Sequence, residues 1–330
     1  MSKPVSIISA LLCTLIWGTT FIAQETGMEK IGPYTFNAVR FFVGFVALIP
    51  FYLILEKSNT KKIISNNKKK FIKLSVLIGI FLFLASVFQQ VALIYTDVAN
   101  AAFVTIFYVP MVPIIVFFLF KKNIHWSVWP SAMFCVIGGY LLTNFQDATI
   151  RLGDSLVVIS AIFWALHIIF IGKIIEEFNT PILIGLIQTL VVSSCSIVLS
   201  LIFEEFIIKN ILVHKLQILY AGILSGGFAF VLQIYAQKNI TPAPAAIIFS
   251  LEGVFAAIAA WIILNQVLSF NNILGCTFIL IGVLFSITPA TVSEIQPIER
   301  LFSTKAGRSI SCGGGAILTE VGTESWAISG

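Results

Sequence analysis

Apolar stretches of about 20 residues recur along this chain from Val5 to residue 288, parted by short polar breaks. About 20 residues wound as an α-helix cover the roughly 30 Å hydrocarbon core of a bilayer. A secreted domain with a leader peptide would account for the first stretch and for none of the others. With 58% hydrophobic and 11% charged residues, against about a quarter charged in soluble domains, the chain lacks the polar surface for an aqueous fold. The lipid bilayer is therefore the expected solvent for most of it. The first stretch carries Trp17 and no small-x-small cleavage site after its apolar run, so it reads as a retained helix rather than a signal peptide.

Ten candidate helices follow, near residues 5–24, 34–55, 71–94, 98–119, 128–144, 153–172, 181–203, 216–236, 243–264 and 270–288. Basic loops resist translocation, and the cations are unevenly spread. With a cytoplasmic N-terminus the inside segments hold fifteen Lys and Arg, among them Lys57, Lys61, Lys62 and the run Lys68 to Lys73. The outside segments hold four, Lys30, Arg151, Lys209 and Lys215, and Arg40 lies inside the second helix. Both termini are thus expected in the cytoplasm. The net charge of +5 is read as topogenic, with attraction to anionic lipid, and no nucleic-acid partner is expected. Four cysteines sit in separate apolar segments and none makes a CxxC pair, so neither a disulfide framework nor a metal site is expected. From residue 301 the chain is glycine-rich and polar, and 301–330 reads as a disordered or vector-derived tail.

Sliding the chain on itself by 144 positions aligns Ala92 with Ala236, Ala99 with Ala243, Ala101 and Ala102 with Ala245 and Ala246, and Gly138 with Gly282. A shift of 147 aligns Trp17 with Trp164. The reading is a tandem duplication, residues 5–145 and 153–290, each copy holding five spans. An odd number of spans makes the second copy enter the bilayer from the opposite side. Inverted repeats of this kind place a site near the midplane and offer two conformations by exchange of the halves.

The segments Ile16-Trp17-Gly18-Thr19-Thr20-Phe21, Asn37-Ala38-Val39-Arg40-Phe41, Ala92 to Ala102, Phe163-Trp164-Ala165 and Ser250-Leu251-Glu252-Gly253 resemble the EamA-type branch of the drug/metabolite transporter superfamily. The likeness spans residues 5–288. It implies an all-α membrane protein of ten helices in two inverted five-helix repeats, with a central cavity. It also implies export or exchange of amino acids, nucleotide-like metabolites or drugs. Gly253 stands where the family often has Pro, and Asn265-Gln266 where it often has Gly-Glu, so the local geometry of the ninth helix and any role of that terminal acid stay open.

Ionisable and amide side chains at membrane depth are expensive and usually face a bundle interior or water. Several fall at equivalent repeat positions: Trp17 with Trp164, Gln89 with Gln233, Arg40 with Gln188, and Tyr108 with Glu252. Glu252 is read either as a carboxylate that takes a proton or a substrate amine or as a structural ion-pair partner, with Arg40 the candidate cation. Arg40 itself either meets a substrate carboxylate or snorkels toward headgroups. Gln89, Gln90 and Gln233 suit a zwitterionic ligand or bonds between helices. Trp17, on a stripe with Thr14, Phe21 and Gln24, and Trp164, on a stripe with Ser160 and His167, suit cavity lining. Asp97, Asn100, Thr105 and Tyr108 cluster on the fourth helix ahead of Pro110 and Pro113, where a kink is expected. His125 and His214 fall in loops and are expected to be solvated.

No GxxxxGK[ST] motif is present to drive a primary pump,. The leading reading is a secondary transporter, as monomer or homodimer, in the cytoplasmic (inner) membrane of a bacterium. It would move an amino acid or similar amphipathic solute, with proton coupling through Glu252 as a further option and no cofactor. A broad multidrug exporter with a phenylalanine-rich cavity is the alternative. An intramembrane transferase would need clustered acids, His or a nucleophile near one interface, so the chain is not read as an enzyme. A scaffold without ligand is the remaining class.

Overall fold

The computed structural model describes residues 3–96, 98–142, 152–265 and 267–287, all within one compact unit, residues 1–294. The side chains of residues 59, 61, 62, 66, 98–100 and 264 also lie outside the description. The expectations for Asp97 and for the tail 301–330 therefore fall outside the described residues, which contain helices and no strand.

Ten apolar helices run in order: α1 (Lys3–Gly27), α2 (Pro33–Glu56), α3 (Lys68–Ala92), α4 (Ala101–Phe120), α5 (Val128–Leu142), α6 (Leu152–Phe178), α7 (Pro181–Phe203), α8 (Lys215–Ala236), α9 (Pro242–Ile263) and α10 (Phe270–Ser286). Eight are long and apolar enough to cross a membrane, while α5 and α10 have 15 and 17 residues. Each of the ten segments read from the sequence is a helix. Proline opens α2, α7 and α9, where its missing N–H would have had no helical partner. Ser269 opens α10 with a capping box closed by Asn272, and Asn265 in the left-handed region ends α9, the conformation that lets a chain leave a helix.

The packing partners obey a rule. When α1 to α5 are matched in order with α6 to α10, every main contact either maps onto another or onto itself. The contact of α3 with α6 corresponds to that of α8 with α1, and α1 with α9 corresponds to α6 with α4. The contacts α2–α7 and α5–α10 join matched helices directly. In the second of these, Gly138 and Gly275 let the backbones touch: a Cβ on either would lie 2.6 Å from the carbonyl oxygen of the other.

The α2–α7 pair is clasped at both ends by carboxylates. At the start of α2, Glu204 accepts the backbone N–H of Tyr34 at 2.9 Å and of Thr35 at 2.7 Å, and the Thr35 hydroxyl at 2.6 Å. At the start of α7, Glu56 accepts the N–H of Ile182 at 3.1 Å and of Leu183 at 2.8 Å. Glu56 ends α2 and Glu204 follows α7, and each caps the first turn of the other helix, so the two helices must run antiparallel. Both prolines and both acids are 148 positions apart (181 − 33 and 204 − 56). A carboxylate at a helix N-terminus satisfies orphan donors and meets the positive end of the helix dipole.

Removing either acid by Glu56→Ala or Glu204→Ala is expected to cost about 1.5–3 kcal/mol, the range for charged hydrogen bonds. The clasps lie a helix length apart, so the losses in the double variant should add within about 0.5 kcal/mol. Melting temperatures of the purified variants in detergent check both statements.

Candidate functional site

Two helices break at mid-span. α4 falls into two pieces, the end of a helix that runs Val98–Thr105 and the helix Tyr108–Phe120. Pro110 has no N–H to give the Ile106 carbonyl, which takes the N–H of Val109 at 2.8 Å instead, one residue too early for a regular turn,. α9 is likewise Pro242–Phe249 and Leu251–Leu264. Here no proline is needed: the Ser250 hydroxyl bonds back to the Ile247 carbonyl at 2.6 Å, and Gly253 N–H closes a short turn onto Ser250 at 3.2 Å. Gly253 in place of a proline thus leaves the break in place. Thr105 and Phe249 end the two first pieces 144 positions apart (249 − 105).

Tyr108 and Glu252 stand just past these breaks. The Tyr108 hydroxyl donates to Glu252 Oε1 at 3.4 Å, long for an O–H···O bond, so the carboxyl group is loosely held. Gly18 of α1 lets this part of α9 come close, since a Cβ there would sit 2.6 Å from the Glu252 carbonyl oxygen. Trp17 and Trp164, also paired by the repeat, meet with ring centroids 6.4 Å apart. Phe230 lies 5.2 Å from Trp17 and stacks on Trp164 at 6.1 Å, and Phe249 stands 5.7 Å from Trp17. Four aromatic rings therefore form one wall.

That wall encloses a cavity with about 550 Å³ of empty space, its open mouth included. Of the residues singled out from the sequence, Trp17, Arg40, Gln89, Tyr108, Trp164, Gln233 and Glu252 line it. Gln24, Thr105, Ser225 and Phe249 line it as well. Gln89 donates its amide to Thr105 at 2.9 Å. Several other lining groups have no partner among the described residues: the indole N–H of Trp17 and of Trp164, the Gln24 carbonyl oxygen, and both amide atoms of Gln233.

Other candidates point elsewhere. His167 is buried behind the aromatic wall and pairs its Nε2 with Gln188 Oε1 at 3.0 Å. Gln90 turns its amide to the Met28 sulfur. The side chain of Asn100 lies outside the described residues. The ion pair of Arg40 with Glu252 does not form: Arg40 Nε donates to Asn37 Oδ1 at 3.0 Å, and the guanidinium does not snorkel, being 5% exposed. His214 corrects the expectation of a solvated loop residue. It heads α8, accepting the Ile218 N–H at 3.0 Å, and its ring is turned inward. Asn37 was not singled out, although its place three residues before Arg40 puts both on one helix face.

An unpaired buried amide destabilises, and an apolar group of similar shape removes that penalty. Gln233→Leu should therefore stabilise the protein by about 1–3 kcal/mol while weakening any solute-induced rise in melting temperature. A thermal melt with and without solute measures both effects.

The sequence model of the EamA-like transporter family matches the chain twice, over residues 4–144 and 151–288. An uncharacterized transporter of Archaeoglobus fulgidus is 29% identical over 276 residues, covering 83% of this chain and 82% of that one. The uncharacterized transporter YoaV of Bacillus subtilis is 25% identical, covering 82% and 92%. A WAT1-related protein of Arabidopsis thaliana is 24% identical, covering 83% and 85%. A crystal structure superposes with a TM-score of 0.71 at 15% identity, covering 87% of this chain and 97% of that one, which establishes the fold alone.

Proposed function

The chain belongs to the EamA-like transporter family, and from that membership we propose a secondary active transporter that moves a small amphipathic solute of the amino-acid class through the central cavity by alternating access. The observation that carries this reading is the cavity itself. Equivalent residues of the two halves meet at its wall, Trp17 with Trp164 and Tyr108 with Glu252, and unpartnered polar groups face its space. Two equivalent points can touch only beside the symmetry axis that relates them.

The antiparallel run of α2 and α7 supports an inverted relation between repeats 5–145 and 153–290, because these are matched helices. Inversion gives two end states of similar energy, open to opposite faces, with the solute site shared between them. The charge distribution supports cytoplasmic termini in a bacterial inner membrane. The long Tyr108 bond to Glu252 and its place on the cavity wall support a reading in which this carboxyl group exchanges a proton with the cavity. The four-ring wall favours a second reading, a broad exporter of hydrophobic cations, since aromatic faces attract cations.

Purified protein in liposomes should exchange labelled neutral amino acids across the membrane, and cationic dyes should not compete. Dye competition that abolishes amino-acid flux favours the second reading, and absence of any flux contradicts both. Glu252→Gln should lose flux driven by a pH gradient while retaining solute exchange. Unchanged gradient-driven flux in that variant would remove the coupling role.

A further inference from the structure

Arg40 is a buried cation without a counter-ion. It is 5% exposed and lines the cavity, and no carboxylate among the described residues lies within the 4.0 Å ion-pairing distance of its guanidinium. Its Nε is spent on Asn37 Oδ1 at 3.0 Å. Asn37 has no freedom to do otherwise, because its amide nitrogen donates to Ser86 Oγ at 3.1 Å and Ser196 Oγ at 3.0 Å. Hydroxyls from α3 and α7 thus fix the amide so that its oxygen faces Arg40. The guanidinium also lies over the Phe41 ring, 4.9 Å from its centroid, with Phe36 at 5.7 Å.

The whole arrangement orients the guanidinium and leaves its charge uncompensated. Neither the neutral amide nor the rings replace an anion, and a buried charge without a partner is costly. Neither Nη group has a hydrogen-bond acceptor among the described residues, and Arg40 lines the cavity. A planar fork held by one edge, with the other edge open, is the geometry that receives a carboxylate by two parallel hydrogen bonds. The carboxylate of the cavity wall, Glu252, is engaged by Tyr108 rather than by Arg40, so it does not fill this role.

We infer that Arg40, braced by Asn37, is the anion subsite of the cavity and receives the carboxylate of the transported solute. This rests on the transporter reading and adds a requirement to it: the solute carries a carboxylate, whatever its side chain. The aromatic wall then takes the apolar part.

The test uses matched solutes on the intact protein. The twenty protein amino acids are compared with their amides and their decarboxylated amines, by thermal shift in detergent and by flux in liposomes. At least one amino acid should stabilise the protein and be carried, and its amide and amine should bind about 30-fold more weakly or worse. Arg40→Gln should erase that discrimination by weakening the acid alone. Arg40→Lys, which keeps the charge and loses the fork, should fall between and guards against a variant that fails to fold. If an amide or amine is bound and carried as well as its parent acid by the wild-type protein, the subsite is overturned and the transporter reading stands. If no solute of any kind is carried, both are overturned.

Discussion

In hydrocarbon a polar group with no partner costs several kcal/mol, and no water is at hand to relieve it. That constraint bears on every buried polar side chain of this bundle. Several hold helices together: Asn37 with Ser86 and Ser196, Ser193 with the Ala38 carbonyl, Ser160 with the Ala85 carbonyl. Of the groups left open, those of Trp17, Gln24, Trp164 and Gln233 line one cavity together with the unpaired charge of Arg40, while others, among them Ser75, His167, Gln188 and Gln237, lie outside its lining. A bundle held only by packing would gain stability by making these positions apolar. On the transporter reading proposed above, a solute completes those of the cavity in passing.

The carboxylate clasps act on the same frame from its ends. Glu56 and Glu204 tie α2 and α7 into one antiparallel unit, and the unit carries Arg40 and its brace. α4 and α9, by contrast, are each interrupted beside the cavity. An interrupted helix bends more cheaply than a continuous one. In the proposed transport cycle, rearrangement falls on α4 and α9 around a fixed α2–α7 pair. In α8, the glycine-rich residues Tyr220–Ala229 wind in wider π-type turns, and they pack on α2 where a Cβ at Gly222 would meet the Arg40 carbonyl at 2.7 Å. Such turns recur at functional sites.

Much of this was legible in the sequence because the bilayer imposes a length on each helix and the duplication imposes a register. Trp17 with Trp164 and Tyr108 with Glu252 could be paired by number alone, and the fold then brings each pair together. The clasps were not legible. Glu56 and Glu204 lie at span ends and read as ordinary loop charges, and their 148-residue spacing differs from the 144 of the later helices through small indels. Residues that line the cavity and residues that lock helices also look alike in one dimension. Gln90 and Gln89 are neighbours in α3, yet a turn of 100° sends one to Met28 and the other to the cavity. Arg40 could not be assigned until the hydroxyls of α3 and α7 were seen to fix Asn37, a constraint made by three helices at once.

The central claim is that the open polar groups line a path reached by solute from both faces of the membrane. Ser225 lines the cavity and accepts replacement by cysteine with little change in shape. In a background free of the five native cysteines, Ser225→Cys should react with an impermeant thiol reagent from one face in one conformational state and from the other face in the other, and a transported solute should slow both reactions. A cysteine there that stays unreactive from both faces, or whose labelling ignores every transported solute, would contradict the account.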